Sequence, residues 1–166
     1  MEINKKEIRD AAMKLTSEDI KKLIINLESK DNNLRYKSFL ILQSRSDFCN
    51  DCYAYFDDFI NKLDKDNSYQ RSLGLMMIAF NTKWDVENKF DIIVNKFLDH
   101  INDEKFITSR QCIQSLSNII PYKPHLIKVI KNRLEKIDYS VFKDTQINLI
   151  KNDVASILEQ IESISY

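Results

Sequence analysis

One glycine and two prolines in 166 residues constrain this chain more than any motif it contains. Average usage is roughly 7% glycine and 5% proline. Tight hairpins draw on Asn-Gly, Asp-Gly or Gly-X turns, and strands are bounded by Gly/Pro clusters, so a sheet protein is hard to build from this inventory. Helices joined by Asp, Asn, Ser and Lys need neither residue, and an all-α chain is expected. With 43% hydrophobic and 30% charged residues it fits a single domain over residues 1–166, long enough to bury a core.

Apolar residues recur at helical spacing between polar breaks. Ile3, Ile8, Ala12 and Leu15 mark a first amphipathic helix, read as an N-terminal cap over residues 1–16. Thr16 with Asp19 approximates a capping box for the next helix, whose Ile20, Leu23, Ile24 and Leu27 form an i, i+3, i+4, i+7 stripe. After Lys30-Asp31-Asn32-Asn33 comes a broader apolar segment from Leu34 to Gln43, read as a helix buried on more than one side. The order then repeats, one-sided helix, polar break, broadly apolar helix, giving units near 18–46, 50–82, 85–120 and 122–164. Basic residues early in each second helix, Arg35, Arg71, Arg110 and Lys151, fall at intervals of 36, 39 and 41 residues. Helix-pair repeats of about 40–47 residues belong to HEAT and armadillo arrays.

In this pattern the chain resembles the HEAT-repeat family. Asp31 with Arg35, Asp66 with Arg71, Asp103 with Arg110 and Asp144 with Lys151 stand where that family carries a turn aspartate and an early basic residue. The resemblance implies a right-handed α-α superhelix of about four helix pairs behind the capping helix. It also implies that the aspartates and basic residues bond between neighbouring repeats as an internal ladder. The other reading of the same basic series is an anion or phosphate track along one face.

Chemistry is sparse. Cys49-Asn50-Asp51-Cys52 is a C-x-x-C at or just before the third helix, where a helix N-terminus would lower a thiol pKa. A structural zinc site needs a second ligand pair, and Cys112, His100 and His125 are isolated, so no metal or cofactor is expected and Cys49 with Cys52 is the runner-up site. Trp84, in the linker 81–85 beside the expected N-cap Asp85, either staples that linker to the core or anchors a partner. No catalytic triad, P-loop or metalloprotease motif occurs, and no enzymatic role is expected. Twenty-five basic against 25 acidic side chains leave no net charge to attract nucleic acid or an anionic membrane. With no leader-like or bilayer-length apolar segment, a cytosolic location is expected. The reading is a protein-protein interaction module, an adaptor or scaffold, binding another protein or peptide on the inner face of its second helices. Its candidate contacts are Lys37, Arg45, Gln70, Arg71, Arg110, Gln111, Gln114 and Asn118. The alternative is a nucleic-acid-binding relative of the HEAT-like DNA alkylation-repair glycosylases, against which the neutral charge balance counts.

Overall fold

The structure is a computed structural model describing residues 4–164, and every regular element among them is helical. The α-helices are α1 (Lys5–Met13), α2 (Ser17–Asn26), α3 (Asn32–Ser46), α4 (Phe56–Lys62), α5 (Ser68–Asn81), α6 (Lys89–Asp99), α7 (Phe106–Ile119), α8 (Ile127–Glu135) and α9 (Asp144–Ile164). Short 3₁₀ turns lead into α4 (Asp51–Tyr55) and α8 (Pro124–Leu126) and follow α5 (Thr82–Trp84), α6 (His100–Asn102) and α8 (Tyr139–Val141). Ile3 lies outside the described residues.

Local chemistry sets where the helices begin. The capping box forms in full: Thr16 accepts from the Asp19 N–H while the Asp19 carboxylate accepts from the Thr16 N–H. The Asp31 carboxylate accepts from the Asn33 and Leu34 N–H groups, and Asn67 caps α5 through the Tyr69 N–H. Helix α6 starts later than the apolar pattern suggests. Asn88 takes the left-handed conformation (φ 54°), which asparagine tolerates better than most residues, so the chain turns before Lys89. Val86, expected on that helix, is 84% exposed in the turn. Asp85 still caps α6, from further out than the N-cap position: its two carboxylate oxygens accept from the Lys89 and Phe90 N–H groups at 2.9 Å.

Packing alternates along the chain. The second helix of each pair meets the next second helix, α3 on α5, α5 on α7 and α7 on α9, while α1 lies on α3. The central helix α5 buries residues on all sides, including Leu73, Leu75, Met77 and Ile78. It crosses α4 at Gly74, where a Cβ would stand 2.8 Å from the Phe59 carbonyl and 2.8 Å from the Lys62 Cβ. The lone glycine is therefore a packing requirement.

The first helices are tied by side-chain contacts to carboxylates with a near-constant reach. Lys62 meets Glu28, Lys89 meets Asp57, Lys96 meets Asp64, His125 meets Asp91 and Arg133 meets Asp99, at sequence separations of 32 to 34. Among the described residues no helix is long and apolar enough to cross a membrane.

Candidate functional site

A groove of about 800 Å³ crosses the N-terminal ends of α3, α5 and α7 and the segment leading into α9. Each element contributes residues at helical spacing: Tyr36 and Phe39 from α3, Tyr69, Ser72 and Met76 from α5, Ile107, Thr108 and Gln111 from α7, and Val141, Phe142 and Gln146 from the last unit. Phe39, Ser72, Thr108 and Phe142 are buried and form the floor. The Ser72 and Thr108 hydroxyls bond to each other at 3.0 Å, and Thr108 donates to the Ser68 carbonyl, so α5 and α7 are joined beneath the groove.

Exposed apolar side chains make the rim: Tyr36 at 46%, Tyr69 at 38%, Ile107 at 60% and Val141 at 54% of full exposure. Several aromatics are held in place. The Arg35 guanidinium lies 4.1 Å over the Tyr69 ring and is anchored by the Ser29 carbonyl and the Asn32 side chain. Phe106 sits edge-on to Phe142, 6.4 Å between centroids, with Arg110 over its ring. The recess is lined equally by apolar or aromatic and by polar or charged side chains, and its volume is in the range of ligand pockets.

The basic series divides into different roles. Arg71 makes a two-pronged pair with Asp103, Nε to Oδ2 at 2.8 Å and Nη2 to Oδ1 at 2.7 Å, and also donates to the Lys65 and Asp66 carbonyls. Its partner is the turn aspartate of the following unit. Burial pushes the Asp103 carboxyl upward, but the Arg71 guanidinium, the Lys105 N–H and His100 outweigh it and hold the group below the ordinary range. Arg110 pairs with Asp153 inside α9, not with Asp144 in the turn, and Gln114 donates to the same Asp153. Arg35 has no carboxylate partner among the described residues, and Lys151 lies against the Tyr139 ring.

The other candidate contacts scatter. Arg45 turns inward, pairing with Asp51 and donating to the Ala12 carbonyl, which fastens α1 to α3. Gln70 is buried between the Leu27 carbonyl and Lys62. Lys37, Gln114 and Asn118 are exposed but do not line the groove, whereas Gln111 does. The aromatic rim had a sequence signal: Tyr36, Tyr69 and Phe106 all fall within four residues of the basic residue that marks each second helix. Read as core, they conceal the recess they frame.

A second polar cluster is buried beneath the first helices. Lys123, 3% exposed, meets Asp85 at 2.9 Å, Asp91 at 2.8 Å and the Asn88 side chain at 2.8 Å, while the Tyr53 hydroxyl donates to Asp85. Burial raises the Asp85 carboxyl, and Tyr53, the Phe90 N–H and Lys123 together carry it below its ordinary value. Every charge here has a partner that explains it, and the cluster reads as a pin joining three units. The thiols also correct an expectation. Cys52 is fully buried in the 3₁₀ turn, and burial raises its pKa to about 11 instead of lowering it. Among the described residues no group of three or more His, Cys, Asp or Glu is placed to hold a metal ion. Trp84 donates its indole N–H to the Ser46 carbonyl at 2.8 Å, stapling its turn to the end of α3.

Compared with protein families, curated proteins and solved structures, the chain has no match.

Proposed function

We propose that the chain is a non-catalytic interaction module, a short right-handed HEAT-like α-solenoid whose groove takes a segment of another protein. The observation that carries this reading is the groove itself, a recess built jointly by four successive units and rimmed by exposed aromatic and aliphatic side chains. The stack draws support from the serial contacts of α3, α5, α7 and α9 and from ion pairs between successive first helices at a near-constant separation of 32 to 34 residues. A cytosolic adaptor or scaffold role goes with it.

The nucleic-acid alternative draws less support, because Arg71 and Arg110 are already matched by carboxylates and offer no free phosphate track. A random peptide library displayed on phage tests the proposal. Peptides selected on the full chain should lose binding when Ile107→Arg fills the groove and keep it when Ile92→Arg charges the exposed face of α6. Equal behaviour of the two variants would overturn the reading.

A further inference from the structure

The groove does not end at α3. Tyr36 also lines a second depression of about 390 Å³ between α1 and α3, bordered by Ile8 and Leu40 and carrying Lys5, Arg9 and Asp47. Both recesses are lined by Tyr36, so they adjoin at that side chain and together make a track of two depressions between the start of α9 and the capping helix.

Charge along this track is uneven. Lys105 and Lys143 stand on the groove at the starts of α7 and α9, and Lys5 and Arg9 stand at the α1 end. Among the described residues, none of these four cations has a carboxylate within ion-pairing distance, although Arg9 lies over the Phe48 ring at 5.5 Å. The lining carboxylates are fewer. Glu104 leans toward Arg71 at 3.6 Å, which leaves Asp47 as the other acidic group on the track. Between the charged ends the surface is aromatic and aliphatic, from Tyr36 through Tyr69 to Ile107 and Val141.

On the reading that the groove binds protein, we infer that its occupant is an acidic peptide segment, with apolar or aromatic anchors at its centre and carboxylates on both sides. The central side chains fill the recess over Phe39 and Phe142, and the carboxylates meet Lys105 and Lys143 at one end and Lys5 and Arg9 at the other. Complementary charge at the ends of an apolar groove sets encounter rate, register and choice of partner more than total affinity. A nucleic acid fits the lining less well: four cations gathered toward the two ends do not follow a phosphate backbone along the groove.

Three fluorescein-labelled probes test this with the full chain: a 16-residue peptide with a Leu/Phe/Trp centre and Asp/Glu flanks, the same centre with Lys flanks, and single-stranded dT16. Anisotropy titrations should show the acidic peptide binding about tenfold or more tighter than the basic one at low salt, with the gap narrowing as salt rises. The double change Lys105→Glu with Lys143→Glu should close or reverse that gap. Both side chains are exposed, and Lys105→Gln with Lys143→Gln, expected to narrow the gap without reversing it, gives the same reading with less perturbation. If both peptides bind equally and Ile107→Arg abolishes both, the charge inference falls and the groove remains a protein site. If neither peptide binds in a manner that Ile107→Arg removes, the proposed function fails with it. Groove-dependent binding of dT16 tighter than either peptide overturns the inference in favour of nucleic acid.

Discussion

Arg71 and Asp103 join two units through a two-pronged pair, and both are almost fully buried, at 9% and 4% side-chain exposure. Removing one member of such a pair strands the other charge away from water. Arg71→Met should therefore cost about 3–5 kcal/mol of unfolding free energy, measured by urea denaturation. Part of this was legible in the sequence: a turn aspartate and an early basic residue were expected to pair between units, and of the four basic residues Arg71 does so. Which aspartate answers which arginine was not. Arg110 reaches Asp153, about two and a half turns into α9, and only the distance between packed helices decides that. The same carboxylates set the acid limit of stability. Asp85 and Asp103 titrate below the ordinary aspartate value of 3.8, so above that pH their contribution is fully present. As the pH falls below 3.8, the unfolded chain takes up protons that the folded chain refuses. The melting temperature should then drop, and Asp85→Asn should flatten the drop while lowering stability at neutral pH. The thiols give a simpler check. Cys52 and Cys112 are buried with raised pKa values and Cys49 is half-buried, so a thiol reagent at pH 8 should label at most one cysteine in the folded chain and all three after unfolding.

Helix type and approximate extent followed from periodicity and from the shortage of glycine and proline, because neither depends on distant contacts. The starts of individual helices were harder. Nothing local to Val86 marks it as outside α6. The left-handed turn at Asn88 and the carboxylate of Asp85, fixed by Tyr53 and Lys123 from two other units, move the helix start to Lys89. The approach of α4 to α5 was equally hidden, since a glycine inside an apolar helix reads locally as a flaw. Gly74→Ala improves helix propensity by about 1 kcal/mol. Its Cβ must displace backbone at the Phe59 carbonyl, however, and overpacking of that kind costs about 1–3 kcal/mol. A net loss is expected, read as a lower denaturation midpoint with an unchanged denaturant slope.

At the scale of the whole molecule, of the eight contact residues expected from the sequence only Gln111 lines the groove. The polar candidates Gln70 and Arg45 are spent on internal contacts, while the rim residues Tyr36, Tyr69 and Ile107 came from stripes that looked like core. Periodicity cannot separate these two fates. A residue early in a second helix is covered only if the neighbouring units close over it, and here four of them stop short and leave a trough. Nuclear magnetic resonance mapping tests that trough most directly, by titrating a library-selected peptide into the ¹⁵N-labelled chain. The account predicts that the largest shifts fall at Tyr36, Tyr69, Phe106 to Thr108 and Val141. Shifts centred instead on Ile25, Val86 and Ile92, the exposed apolar residues of the first-helix side, would contradict it.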